Sequence, residues 1–191
     1  MRKKRGLVLL SAAVFVFSAI VAGNGVASDD SNHFFKRWFG KKEAGVPPVK
    51  NSLYSEECGS CHFAYPPALL PAASWKKVMA SLDDHFGENA ELPGDEREAL
   101  TRYLVERAAE NARNEISRKF LRSLRKGEEP VRISRIPYFV KEHDEIPQRM
   151  VKENPEVGSF SRCDACHTDA AEGRFDEHAV RIPRFGRWED D

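Results

Sequence analysis

Cysteine is scarce in this chain, and none of it is scattered. The 191 residues include 4 cysteines. All four fall in two stretches, EECGSCHF with Cys58 and Cys61, and SRCDACHT with Cys163 and Cys166. In each, the cysteines are three apart and a histidine, His62 or His167, follows directly. A surplus of one charge sign is lacking too, since 30 basic side chains balance 30 acidic ones. The first 27 residues hold four basic groups and no acidic ones, which leaves 26 basic against 30 acidic beyond them. A mildly acidic remainder excludes the basic surface that nucleic-acid binding requires. Alternating polar and apolar runs long enough for a strand are also missing, which excludes an all-β design and leaves a mainly α chain.

What is present begins with the N-terminus. Arg2, Lys3, Lys4 and Arg5 precede an almost wholly apolar run, residues 7–22, and small residues follow at 23–28. That layout is a secretory signal peptide, 1–27, cleaved after Ala27. The run is close to the lower limit for spanning a bilayer, so an uncleaved anchor is the alternative. The expected compartment is the periplasm. The roughly 160 residues beyond the signal suit one compact domain or two small ones. With 11 prolines and 31% charged residues, the apolar core is modest, and something besides apolar packing is expected to help hold the fold.

Residues 28–53 mix charge, glycine and Pro-Pro and read as a linker. A helix is expected from Ser74, a good N-cap, to Gly87, a good stop, with Trp75, Val78, Met79, Leu82 and Phe86 on its apolar face. A second helical stripe starts at Asp95, with Glu98 completing a capping-box pattern, and runs to Leu124 with an interruption around residues 111–114. Residues 127–162 are loop-rich, with prolines at 130, 137, 147 and 155. The resulting division is an N-terminal unit, 54–126, and a C-terminal unit, 127–191, each with one cysteine motif. RISRIP (132–137) and RIPRF (181–185) resemble each other but are too short to count as a repeat.

Three chemistries compete for the cysteines: disulfides, zinc and covalent haem. The histidines decide between them. With His at about one position in thirty, two trailing histidines by accident is on the order of one in a thousand, and C-x-x-C-H is the haem attachment pattern. A zinc ribbon would put the second pair about 15–20 residues after the first, whereas here the gap is nearly the length of a domain. Haem attachment needs the histidine for a geometric reason, because positions i, i+3 and i+4 of a helical turn share a face. Cys58 and Cys61 then bond the two vinyl groups while His62 reaches the iron, and Cys163, Cys166 and His167 repeat the arrangement. Two covalently bound haem c groups are expected. Each would bury a large flat apolar surface, supplying core that the chain lacks.

The far side of each iron is less determined. His85, at the edge of the expected helix's apolar face, is the candidate distal ligand of the first haem, with Met79 as rival. The plain alternative is a helix C-terminal histidine favoured by the dipole. For the second haem the candidates are His143, after the aromatic-rich PYFVKE, then His178 in FDEH, then Met150. His33 lies in the linker and reads as a surface residue. Crossed pairing of His85 and His143 between the haems stays open. Arg181 and Arg184 suit haem propionates by bidentate contact or are exposed basic residues of the tail. Phe63, Tyr65, Phe86 and Tyr138 are expected to pack the pockets.

CGSCHFAYPPALLPAASW, LDDHFGENAEL and CDACHTDAAEGRF…RIPR together resemble the bacterial dihaem cytochrome c (DHC) family, over residues 54–185. The resemblance implies an exported, mainly helical electron carrier. Its N-terminal unit would be similar to a class I cytochrome c and its C-terminal unit less regular, each with one bis-histidine haem. It supports His85 and His143 as distal ligands. It also implies a small oxygen-binding monohaem cytochrome and a membrane b-type cytochrome as partners.

The expected function is electron transfer between redox proteins through two low-spin haems, with neither nucleic acid nor a small-molecule substrate as partner. The rivals are a small dihaem enzyme with an open iron, such as a peroxidase or oxide reductase, and an electron-donor subunit of a larger oxidoreductase.

Overall fold

Prolines set where several helices of this chain begin. A computed structural model describes residues 45–188, all within the unit Gly40–Asp191. The signal segment 1–27, His33 and most of the 28–53 linker lie outside the described residues. Helix α1 is Ser52–Glu57, started by Asn51, whose side chain accepts from the Tyr54 amide at 2.8 Å. A 3₁₀ turn, Pro67–Leu69, has proline in its first turn, and helix α2, Ala72–Ala80, has Pro71 at its N-cap. Helix α3, Gly94–Glu106, follows Pro93 in the same way. Helix α5, Pro137–Lys141, begins on proline itself, and α6, Gln148–Val151, follows Pro147. The amides at helix starts have no intrahelical acceptor, so a residue without one costs nothing there.

These prolines displace the starts read from the sequence. Helix α2 begins at Ala72, ahead of Ser74, which lies wholly buried inside the helix. Helix α3 begins at Gly94, with no side-chain cap. The far end of α2 differs more, because the helix stops at Ala80 and not at Gly87. The Ser81 hydroxyl donates to the carbonyls of Lys77 (3.1 Å) and Val78 (3.4 Å), taking acceptors at the helix end. A 3₁₀ turn, Leu82–Asp84, and a tight reversal follow, in which the His85 amide donates to the Glu88 carbonyl at 2.7 Å. Gly87 serves that reversal, with φ +102°.

The long second stripe divides into α3 and α4, Glu115–Ser123. The break spans residues 107–114, opening four residues earlier than the asparagines suggest and closing where Asn114 caps α4 by accepting from the Ser117 amide at 2.8 Å. A further 3₁₀ turn, Ile133–Arg135, precedes α5. Helix α7, Cys163–Cys166, is a single turn. The chain then runs through turns at Ala170–Glu172 and Glu177–Ala179 to a two-residue antiparallel pair, β1 (Arg181–Ile182) and β2 (Gly186–Arg187). The likeness of 132–137 to 181–185 therefore ends at sequence, since one forms a 3₁₀ turn and the other a strand end.

The core runs across most of the described chain. Leu100 and Leu104 of α3 pack with Trp75 and Val78 of α2, Tyr54 of α1, Phe120 of α4, and Ile133, Ile136 and Phe139 beyond them. Each such side chain contributes about 1.5–3 kcal/mol on burial. Irregular segments are pinned by buried polar bonds: Trp75 Nε1 donates to the Pro67 carbonyl (2.8 Å), and the Ser117 hydroxyl to that of Ala68 (2.6 Å). Val46, within the stretch read as linker, is buried, and its amide donates to the Gly173 carbonyl at 2.8 Å.

Candidate functional site

The first cysteine motif sits where α1 runs out. Cys58 is the C-cap, still helical, with its amide on the Tyr54 carbonyl at 3.1 Å. Gly59 packs so closely on the Ser55 carbonyl that an added Cβ would collide with it. The second motif is α7 itself, closed by the His167 amide on the Cys163 carbonyl at 2.8 Å. Burial, followed by nearby Glu57 and Cys61, pushes the Cys58 thiol up to about 11. Burial and then Asp164 push Cys163 to about 12, and the same causes raise Cys166. These thiols are held uncharged.

Each motif histidine faces one other imidazole. The rings of His62 and His85 have centres 6.1 Å apart and planes inclined at 20°. Those of His143 and His167 are 6.2 Å apart at 69°. His85 reaches its position from the reversal after α2, and His143 from the turn after α5. Two imidazoles bound on opposite sides of one metal, each through a bond of about 2 Å, have ring centres about 6 Å apart. Both pairs fit that requirement. Among the described residues no group of three or more His, Cys, Asp or Glu gathers in the way a protein-ligated metal site needs.

The hydrogen bonds of two rings suit the same purpose. His62 Nδ1 lies 2.8 Å from the Phe63 carbonyl oxygen, and His143 Nδ1 lies 2.8 Å from that of Phe139. A carbonyl accepts only, so Nδ1 carries the proton and Nε2 keeps a free lone pair for a metal. Burial also disfavours the charged form of His85, His143 and His167. His167 is lowered to about 4, by burial and then by His143. His143 is lowered by burial, against the opposing effects of the Phe139 carbonyl and Glu142. His85 is lowered by burial, His62 and Arg132.

Aromatic rings surround both pairs. Tyr65 stacks on His62 at 5.2 Å, and its hydroxyl donates to the Ser161 carbonyl at 2.7 Å. Phe63 packs edge-on to Tyr65, and Phe86 lies 4.7 Å from the His85 ring. Phe139 stacks on His143 at 3.9 Å, with Phe160 5.9 Å from the same ring, and Phe175 lies 5.4 Å from His167. Tyr138, expected in a pocket, instead packs on Phe120 at 5.5 Å with Lys119 over its ring.

The other candidates lie elsewhere. Met79 is buried in the core on α2, and Met150 is half-buried on α6. The His178 side chain is 78% exposed, 3.7 Å from Glu177. Arg181 and Arg184 are exposed in and after β1. The sequence reading had Phe139 among the aromatics of PYFVKE, one helical turn before His143, but missed Phe160, Phe175 and Arg132, whose ring contacts follow no local repeat.

Comparisons with known proteins point to the same cofactor. The family model for dihaem cytochrome c matches residues 54–175. A solved diheme cytochrome type c from Shewanella baltica OS155 is 45% identical, with TM-score 0.61, covering 73% of this chain and 98% of its own. A diheme cytochrome c from Rhodobacter sphaeroides is 43% identical, with TM-score 0.61, covering 68% of this chain and 99% of its own. A second structure, of DHC purified from Rhodobacter sphaeroides, is 41% identical with TM-score 0.54, covering 67% and 99%. No curated protein sequence matches the chain. Cysteine pairs with trailing histidines, facing imidazoles at metal-bridging separation and full-length relatives at this identity lead to one conclusion: the chain belongs to the dihaem cytochrome c family, with two covalently bound haem c groups and a haem-based electron-transfer role.

Proposed function

We propose that this protein carries electrons between redox proteins in the periplasm through two low-spin haems, each with two histidine ligands. Cys58 and Cys61 hold the first haem with His62 and His85 as its axial pair. Cys163 and Cys166 hold the second, with His167 and His143. The observation that carries this reading is the pair of facing imidazoles at 6.1 and 6.2 Å. His178 is a poorer distal candidate for the second haem, being exposed beside Glu177.

Haem iron supplies the one-electron ferric–ferrous couple. The chain's part would be to hold His62 with His85, and His167 with His143, in place as ligands while that couple operates. His62 and His143 are oriented by carbonyls on Nδ1, and His143 is further clamped by the Phe139 ring. Ligands that stay in place leave little to reorganise when an electron arrives. Histidine on both sides, without methionine, favours a lower potential. Periplasmic residence is supported by the signal-like N-terminus; among the described residues no helix is long and apolar enough to cross a membrane. A small monohaem cytochrome c and a membrane b-type cytochrome are the proposed partners, on the family resemblance.

Electron paramagnetic resonance of His85→Ala and His143→Ala tests the ligand set. Each variant is expected to keep both haems covalently bound and to turn one of two low-spin signals high-spin. A variant whose two signals both stay low-spin would remove that histidine from the set. Carbon monoxide is expected not to bind the reduced wild-type protein; binding without denaturant would favour an open iron and enzyme chemistry.

A further inference from the structure

Phe86 has a conformation that the electron-transfer reading leaves unexplained. It follows His85 directly, and its φ of 61° lies in the left-handed region, which bulky side chains avoid. The His85–Glu88 reversal, closed by the His85 amide on the Glu88 carbonyl, sets that backbone, and the residue is 47% exposed, so core packing does not hold its ring. Arg132 covers the ring: its guanidinium carbon lies 3.9 Å from the Phe86 ring centre, in cation–π contact. The base of that arm is anchored. Arg132 is the N-cap of the turn Ile133–Arg135, Ile133 is buried, and Ile136 is fully buried in the core. On its other side the Phe86 ring lies 4.7 Å from His85, which faces His62 at 6.1 Å. A residue from beyond α4 thus ends a continuous line of groups leading to the first motif.

We propose that Arg132 is a positioning residue for the N-terminal haem site, clamping the strained Phe86 turn that presents His85 and supplying a fixed positive charge that favours the ferrous state. The inference rests on the reading of His62 and His85 as the axial pair of that haem. Arginine suits the task because it lies flat on an aromatic face and keeps its charge at every working pH. A positive charge nearby lowers the free energy of adding an electron. Exposure of Arg132 to solvent weakens the effect without abolishing it.

The test is a spectroelectrochemical titration of the holoprotein, with paramagnetic resonance, on wild type, Arg132→Met, Arg132→Lys and His85→Ala. Arg132→Met is expected to shift the one-electron equilibrium of the His85 centre toward ferric by about three- to tenfold, tenfold being about 59 mV. The other centre should move less. Arg132→Lys, which keeps the charge, should restore most of that shift, which a purely structural contact would not require. Arg132→Gln carries the same comparison if the methionine variant matures poorly. Unchanged equilibria in the neutral variants, with His85→Ala high-spin, would overturn the role of Arg132 alone. If His85→Ala stays low-spin, the ligand reading falls and this inference falls with it.

Discussion

Ser74 and Ser117 are both wholly buried, and they differ in whether the hydroxyl has a partner. Ser117 donates to the Ala68 carbonyl at 2.6 Å, while the Ser74 hydroxyl has no hydrogen-bond partner within the described protein. Ser117→Ala should therefore cost about 1–3 kcal/mol, because it leaves a buried carbonyl unpaired. Ser74→Ala removes an unmet polar atom and should be neutral or stabilising. Thermal unfolding of the two holoproteins checks the contrast, and a marked loss in Ser74→Ala would overturn it. At this scale the two C-x-x-C-H motifs were legible, because residue type and spacing are local. The carbonyl partners of His62 and His143 were not, since they depend on where the backbone turns.

Elements show a sharper division. The far end of the break between α3 and α4 was legible because asparagine competes for the backbone and caps the next helix, whereas its start at Arg107 was not. Asn114 accepts from the Ser117 amide at 2.8 Å, and its own amide donates to the Ser117 hydroxyl at 2.8 Å. Asn114→Ala should cost about 1 kcal/mol, as caps of this kind do, seen as a lower unfolding midpoint. The helix starts were misread by two residues at Ser74 and one at Asp95, because a good capping residue was preferred to the proline ahead of it. The end of α2 was misread by a wider margin. Gly87 is a plausible stop, but the Ser81 hydroxyl intervenes earlier, and the glycine is used in the next reversal. That early end matters to the site. His85 sits in a tight turn, held through Glu88, instead of on a helix face.

Across the described residues, each end of the chain is stitched to an internal segment. The Val46 amide reaches the Gly173 carbonyl, and Asn154, itself buried, donates to the Pro183 carbonyl at 2.8 Å. Gly173 has φ +76° and approaches the Val46 carbonyl so closely that an added Cβ would collide with it. Gly173→Ala should therefore destabilise the holoprotein by more than about 2 kcal/mol, combining a left-handed backbone with a steric clash. An unfolding midpoint equal to wild type would show that the stitch is dispensable. The sequence by itself determined the chemistry: four cysteines and two histidines in a spacing that places them on one helical turn, in a mainly α chain. It also named His85 and His143 among the candidates for the far side. Only the tertiary structure decided which rings face each other, His62 with His85 and His143 with His167. The reason is physical: attachment motifs are short and lie within one turn. The opposite ring arrives from a separate segment, placed by core packing, a serine-terminated helix and a proline-started one.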